Sequence, residues 1–247
     1  MDSLILAGGK CPDDLRQATS CELRAELPFR GVPSARLVAD VIKAVAPEGK
    51  TVVVGYEIEG CANAPAGKSF VDSLRNGLVQ IESEAFLLAA ADLPFLKAES
   101  VRHFVNSADP KMLINYPIIP LDLCEKAFPG MKRTAIRLRE GRFTGGNVGV
   151  ANTNLMRSIL PILDEAYANR KKPLRLAAQV GLGTLARLAL GQVFPAMLPL
   201  AALEKAVGKF LGGSVRAIPM PYPDLGADVD NLTQYQQALQ LLGEKAP

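Results

Sequence analysis

The sequence has little of what zinc-binding, membrane and nucleic-acid-binding proteins require. It contains one histidine, His103, and four cysteines that lie far apart without a C-x-x-C pair, so it has no ligand set for zinc. We interpret the cysteines as reduced thiols. The net charge of +3 arises from 28 basic and 25 acidic residues. This balance is too even to indicate a nucleic-acid surface, but it is compatible with phosphorylated small molecules as partners.

Long uninterrupted apolar runs are also absent. The most apolar stretch, residues 182–211, is broken by Pro195 and Pro199 and carries charged side chains, which makes it a poor membrane span. The first residues, MDSLILAGG, lack the basic start and long apolar run of a signal peptide. We therefore expect a cytoplasmic protein with no membrane span.

Apolar runs alternate with amphipathic segments along the 247 residues, and this alternation predicts one α/β domain over 1–247 with a largely parallel sheet. The predicted strands cover residues 4–7, 51–54, 85–91, 112–119, 134–138 and 214–219. Helices are predicted from residue 33, over 69–78 and over 232–242. Residues 155–212, rich in leucine and alanine, lack strand signals and predict a helical insertion.

The segment LILAGGK at residues 4–10 ends a predicted strand with two glycines and a lysine. Glycines allow backbone N–H groups to approach a phosphate closely, and Lys10 adds a mobile positive charge. By itself this segment is equally typical of a plain strand-to-loop turn.

Two acidic segments also follow predicted strands. Asp92 follows the apolar run at 85–91, and GADVDN at 226–231 follows the last strand. Ligands of open parallel sheets bind beyond the carboxyl ends of the strands, where Gly8 and Gly9 would also lie. Asp92 and Asp230 would supply the carboxylates that Mg²⁺ commonly takes. The alternative for 228–231 is that these side chains only cap the final helix.

Together these segments resemble the MobA-like nucleotidyltransferases, which share a GT-A-like Rossmann-type fold with sugar-phosphate and methylerythritol-phosphate nucleotidyltransferases. LILAGGK is similar to the family's N-terminal loop, AADLPFL at 90–96 to its metal-binding strand end, and ADVDNLTQY at 227–235 to its closing segment. The resemblance spans nearly the whole core. It implies a three-layer, mostly parallel GT-A-type sheet with the helical insertion added.

The resemblance also implies contact roles for three segments. GKSFVDSLRNGL at 67–78 resembles the segment that contacts the nucleotide base through a glycine and a serine, here Gly67 and Ser73. FTGGN at 143–147 resembles a loop on the acceptor or ribose side, which implies Gly146 and Asn147. Four consecutive residues of the first loop are implied to bind the nucleotide: Leu6, Ala7, Gly8 and Gly9.

The implied reaction is attack of an acceptor oxygen on the α-phosphorus of a nucleoside triphosphate, with release of pyrophosphate and no covalent enzyme intermediate. Mg²⁺ on Asp92 and Asp230 would clamp the reacting phosphates. Relatives carry a lysine about ten residues beyond the glycine loop; alignment places Arg24 there, and Arg16 replaces the loop arginine. Lys10, Arg16 and Arg24 would neutralise the leaving pyrophosphate, so Asp92 and these three cations form the predicted catalytic set.

Other interpretations remain open. Because the usual lysine is replaced, the same scaffold could act as a nucleotide- or sugar-phosphate-binding regulator. AGKS at 66–69 resembles the end of a P-loop, but Ala62 stands where that motif needs glycine. GLGTLA at 181–186 matches a dinucleotide fingerprint without a preceding strand. Residues 182–211 are helical core by default, with a homodimer contact or a lid over an apolar acceptor as alternatives.

Overall fold

The computed structural model describes residues 1–169 and 194–244. In chain order, the strands are β1 (Asp2–Leu6), β2 (Pro28–Phe29), β3 (Val32–Pro33), β4 (Thr51–Val54), β5 (Ala62–Ala64), β6 (Ala85–Ala90), β7 (Ile114–Pro120), β8 (Ile136–Leu138), β9 (Gly141–Gly145), β10 (Val148–Asn152) and β11 (Val215–Pro219). The helices are α1 (Asp13–Thr19), α2 (Ser34–Val45), α3 (Phe70–Leu78), α4 (Ala98–Ser107), α5 (Leu121–Ala127), α6 (Thr153–Asn169), α7 (Leu200–Leu211) and α8 (Leu232–Leu241).

Within these residues, one sheet has the strand order β5-β4-β1-β6-β10-β7-β9-β8, with β11 paired to β7. The strands β5, β4, β1 and β6 run parallel, as do β7 and β11. Each predicted strand is present within a few residues of its predicted bounds, and the α/β prediction is confirmed. The short hairpin of β2 and β3 forms a separate two-stranded sheet.

The strands β9 and β10 depart from the sequence prediction, which placed a loop at 143–147. β10 runs antiparallel between β6 and β7, and β9 includes Phe143 and Gly145, so only Gly146 and Asn147 form the turn. Glycine weakens a strand, and this segment is rich in it, so local propensity argued against strands. The strands β6 and β7, which are distant in the sequence, supply the hydrogen-bonding partners of β10 instead.

Helices cover both faces of the sheet, as a three-layer fold requires. On one face, Ile5 and Leu87 pack with Val38 of α2 and Phe104 of α4. On the other, Leu4, Val52 and Phe86 pack with apolar residues of α3 and α6. Strands buried on both faces explain the continuous apolar runs of β4 and β6.

The predicted helical insertion at 155–212 is only partly within the described residues. Its described parts contain α6, which includes Pro161, and α7. The GLGTLA motif at 181–186 and residues 182–193 of the apolar stretch lie outside the described residues. No helix among the described residues is long and apolar enough to cross a membrane.

Asp2, at the start of β1, joins this strand to the segments that precede β4 and β6. Its carboxylate accepts hydrogen bonds from the backbone N–H groups of Lys50, Glu82 and Ser83 at 3.0, 2.7 and 3.0 Å. Burial alone would raise the pKa of this carboxyl, but the three backbone donors outweigh it and lower the pKa below its ordinary value of 3.8. Asp2 therefore stabilises the arrangement of β1, β4 and β6 in its ionised form.

We expect Asp2→Asn to lower the free energy of unfolding by about 1–3 kcal/mol at neutral pH, because the amide accepts with one oxygen where the carboxylate used two. Since folding lowers the pKa, the stabilisation is complete above 3.8 and is lost as the pH falls through the folded-state value. Urea unfolding of both proteins from neutral pH towards about pH 3 measures this. A gap in stability that stays constant with pH would contradict the assignment.

Candidate active site

A cavity of about 750 Å³ opens at the carboxyl ends of β1 and β6. Leu6 and Ala90 end these strands and lie in register, so the loops that follow them are adjacent. All predicted site residues except Arg16 line this cavity: Leu6, Ala7, Gly8, Gly9, Lys10, Arg24, Gly67, Ser73, Asp92, Gly146, Asn147 and Asp230. The fold therefore brings together segments that are up to 224 positions apart in the chain.

The loop after β1 folds back on itself and returns Arg24 to the glycines. Lys10 forms an isolated antiparallel bridge with Leu23, and the Arg24 N–H donates to the Gly9 carbonyl at 2.8 Å. A Cβ atom on Gly9 would lie 2.6 Å from the Arg24 Nη2 atom. The guanidinium thus lies directly against the glycine backbone where we expected phosphate to bind.

Arg24 joins the two carboxylates that were predicted to bind metal. Its Nε atom lies 3.2 Å from Asp92 Oδ2, and its Nη1 atom pairs with Asp230 Oδ1. The Val229 N–H donates to the Asp92 carbonyl at 3.1 Å, which holds the segment after β11 beside the end of β6. The two acids are 138 positions apart in the sequence, and the backbone of the fold brings them to one cation.

Asp92 is a buried carboxyl, with 7% of the residue exposed. Burial raises its pKa above the ordinary value, and the nearby Asp228 carboxylate adds to this effect. The positive charges of Arg24 and Arg133 oppose it. A buried carboxylate needs a cationic partner, and Arg24 is that partner in this arrangement.

The final acidic segment divides its roles between the site and the helix. Asn231 caps α8, because its side chain accepts a hydrogen bond from the Gln234 N–H at 3.0 Å. Asp228 and Asp230 instead line the cavity. The capping alternative thus holds for Asn231, while both aspartates lie at the predicted site.

Arg133 does not line the cavity, but it holds the cavity residue Asp228, and the sequence did not reveal this role. Its side chain is 7% exposed and pairs with Asp228 Oδ1, and its Nη2 atom also donates to the Asp228 carbonyl at 3.0 Å. Arg133 lies in an irregular loop between α5 and β8, where no motif or spacing distinguishes it from a surface arginine. Only the tertiary contact identifies it.

We expect Arg133→Met to destabilise the protein by about 2–4 kcal/mol, because it leaves Asp228 unpaired in a largely buried position. Turnover should fall as well, since Asp228 and Asp230 belong to the same segment. Chemical denaturation and steady-state kinetics measure the two effects. Arg139→Met is the matched control, because Arg139 is 61% exposed in its pair with Glu140 and should change stability by less than about 0.5 kcal/mol. Equal effects of the two variants would contradict this role.

The segment before α3 forms another wall of the cavity. The Gly67 N–H donates to Ser73 Oγ at 2.9 Å, and Ser69 caps α3 by accepting from the Asp72 N–H at 3.0 Å. Lys68 and Phe70 also line the cavity. Gly67 and Ser73, which the family resemblance implied as contacts of the nucleotide base, are thus hydrogen-bonded to each other.

The turn between β9 and β10 forms a further wall of the cavity. The Asn147 N–H donates to the Leu225 carbonyl at 2.7 Å, and the Asn147 carbonyl accepts from Ala90 N–H at 2.9 Å. These bonds fix the turn to the end of β6 and to the segment that follows β11. Burial raises the pKa of the neighbouring Tyr116 hydroxyl, and the Asp228 charge adds to this effect.

Arg16 is the predicted site residue that the fold does not bring to the cavity. It lies on α1, where its Nη2 atom pairs with Asp13 at 2.8 Å and its Nη1 atom lies 3.7 Å from Glu22. Helical geometry places residues three apart on the same face, so Arg16 is held by its own helix and an adjacent acid. The side chain is 46% exposed and is absent from the cavity lining.

The residues present fit a magnesium ion that is shared with a substrate. Across residues 1–169 and 194–244, no group of three or more histidine, cysteine or acidic residues is arranged to hold a metal alone. Asp92 and Asp230 nevertheless converge on one positive group. Mg²⁺ commonly takes one or two carboxylates and completes its shell with phosphate oxygens and water, which suits a two-carboxylate site.

Comparison with known proteins identifies a domain over the first half of the chain. The MobA-like NTP transferase domain matches residues 3–117, which include the glycine loop and Asp92. A hypothetical transferase from Thermus thermophilus is 33% identical, with 95% of this chain and 99% of that chain covered and a TM-score of 0.83. Among functionally curated protein sequences, none matches the chain significantly.

Two more distant structures share the fold. A CMP:2-keto-3-deoxy-manno-octonic acid synthetase complexed with CTP is 13% identical, with 98% of each chain covered and a TM-score of 0.59. The 2-C-methyl-D-erythritol 4-phosphate cytidylyltransferase from Thermus thermophilus is 15% identical, with 98% of this chain and 100% of that chain covered and a TM-score of 0.55. Residues 3–117 form a MobA-like NTP transferase domain, and the protein is a nucleotidyltransferase.

Proposed function

We propose that this protein is a Mg²⁺-dependent enzyme that transfers a nucleoside monophosphate group from a nucleoside triphosphate to a small-molecule acceptor. The acceptor carries a phosphate or a hydroxyl group, and pyrophosphate is released. The observation that carries the proposal is the convergence of Asp92, Asp230 and Arg24 on the glycine loop. Two carboxylates and a guanidinium beside a glycine loop suit phosphoryl chemistry.

The chain's own residues would act mainly by position and charge. Because Gly8 and Gly9 carry no side chains, the triphosphate would approach the backbone closely there, and Lys10 and Arg24 would neutralise the pyrophosphate as the bond between the α-phosphorus and its bridging oxygen breaks. Bound Mg²⁺ would supply Lewis-acid stabilisation of the phosphate charge. Arg16 is left out of this proposal, because its contacts are with Asp13 and Glu22.

The walls of the cavity would hold the remaining parts of the substrates. Gly67 and Ser73 would contact the base, and Gly146 and Asn147 the acceptor or ribose. These proposed roles are supported by the position of both pairs, which line the same cavity as Asp92. Holding two reactants in line on fixed walls is itself a large contribution to rate.

The direct test is to incubate the protein with Mg²⁺, each nucleoside triphosphate and a pool of phosphorylated and polyol acceptors, and to measure pyrophosphate. We expect release with one triphosphate and an acceptor, and loss of release when Mg²⁺ is chelated. Nucleotide binding without release would favour the regulator alternative. Lys68→Ala should leave triphosphate binding largely intact, whereas an essential Lys68 with a dispensable Asp92 would favour the P-loop alternative.

The assembly of the protein is part of the same proposal. A homodimer through the 155–212 insertion would place an apolar segment against a second copy. Sedimentation velocity of the full chain tests this, since a monomer at micromolar concentration would contradict it.

A further inference from the structure

Arg24 occupies the position between the two carboxylates that the proposed function assigns to a metal ion. It contacts Asp92 through Nε and Asp230 through Nη1. A divalent cation between Asp92 Oδ2 and Asp230 Oδ1 could not lie there together with the guanidinium, because their charges repel and their volumes overlap. The presence of Arg24 in this position therefore competes with a divalent cation.

The acidic side chains around Arg24 show which charges would be left unpaired if the Arg24 side chain moved away. The third nearby acid, Asp228, is held by Arg133 through both a side-chain and a backbone contact. Arg24 is the group paired with Asp92 and Asp230. Without Arg24, these two carboxylates would present two negative charges, which match one divalent cation.

Arg24 also has a short path to a phosphate. Its backbone is fixed to Gly9 by a 2.8 Å hydrogen bond, and its guanidinium already lies against the Gly9 backbone. Its side chain is 27% exposed towards the cavity. A triphosphate on the glycine loop could therefore take the guanidinium by rotation of the side chain, and arginine binds phosphate in a bidentate manner.

We propose that Arg24 is the resident counter-cation of the Asp92 and Asp230 pair in the ligand-free protein, and that a polyphosphate must draw it away before a divalent cation binds there. This inference rests on the proposed function. The metal ion and the triphosphate therefore bind cooperatively. The triphosphate removes Arg24 from the two carboxylates, and the metal ion replaces the positive charge that Arg24 supplied there. The free metal ion alone binds weakly, since it would have to displace a paired guanidinium.

The first experiment measures binding of Mn²⁺ alone by electron paramagnetic resonance, with no nucleotide and no turnover. Arg24→Met should bind Mn²⁺ at least about tenfold more tightly than the unmodified protein, and adding Asp230→Asn to that variant should abolish the gain. Arg36→Met is the matched control, because it removes one positive charge from an exposed pair with Asp40 on α2. Unchanged or weaker Mn²⁺ binding by a folded Arg24→Met protein would overturn the inference.

The second experiment uses the unmodified protein, so it does not depend on the folding of a variant. Water-proton relaxation should report at least about tenfold more protein-bound manganese with the Mn²⁺ complex of inorganic tripolyphosphate than with Mn²⁺ alone. If the complex binds and Mn²⁺ alone binds as tightly, this inference fails while the proposed function stands. If neither the complex nor any nucleoside triphosphate binds, both fail.

Discussion

Asp92→Asn should lower kcat by at least about 10²–10³-fold, with little change in stability. Asparagine has nearly the same volume as aspartate but does not supply the negative charge that holds Arg24 and, in the proposed reaction, the metal. Burial already disfavours the charged form of Asp92 and raises its pKa, so a neutral side chain of the same shape should change the free energy of unfolding by no more than about 1 kcal/mol. Steady-state kinetics and chemical denaturation separate the two quantities.

The control for this variant is Asp40→Asn. Asp40 is an exposed acid in a surface pair with Arg36, so its replacement removes the same charge far from the cavity. It should leave both kcat and stability nearly unchanged. Wild-type turnover by Asp92→Asn would show that the carboxylate at the end of β6 does not take part in the reaction.

The second large effect is expected at Gly67. A Cβ atom there would lie 2.2 Å from the Asp72 Cβ and 2.5 Å from the Ser73 backbone nitrogen. Neither atom can move without displacing the first turn of α3. We therefore expect Gly67→Ala to weaken nucleotide binding by at least about tenfold and to destabilise the protein by about 1–3 kcal/mol. Calorimetric titration with the triphosphate selected by the activity assay measures the first effect, and urea unfolding the second.

Gly9→Ala is the comparison, since Gly9 lines the same cavity. The nearest atoms to its added Cβ belong to the end of the Arg24 side chain, at 2.6 Å, and a flexible guanidinium can move aside. Its stability should therefore fall by much less than that of Gly67→Ala. If the two alanine variants were equally stable, the tight contact at the start of α3 would not be the cause of the destabilisation by Gly67→Ala.

The order of the elements along the chain was predictable because it depends on local patterns. Apolar runs predicted β1, β4 and β6, since strands buried on both faces carry continuous apolar sequence. Helical spacing predicted α2, where Ala35, Val38 and Ile42 are buried. The position of Asp92 directly after a buried strand was sufficient to place it at the carboxyl edge of the sheet.

The strands β9 and β10 were not predictable in this way. Their glycine-rich sequence has low strand propensity, and β10 forms only because β6 and β7 lie on its two sides. Arg16 and Arg133 show the same limit for side chains. Sequence spacing cannot say which arginine meets which acid, because an ion pair depends on distances between segments that are far apart in the chain.

The sequence by itself determined the α/β class, the glycine loop and the carboxylate at the end of β6, because strand burial and turn chemistry are encoded by neighbouring residues. Only the tertiary structure decided that Arg24 lies between Asp92 and Asp230, that Arg133 holds Asp228 and that Arg16 lies outside the cavity. The physical reason is that charge pairing acts through space. The pairs Arg24–Asp92, Arg24–Asp230 and Arg133–Asp228 each join segments that are far apart in the chain. The folded sheet sets the distance between those segments.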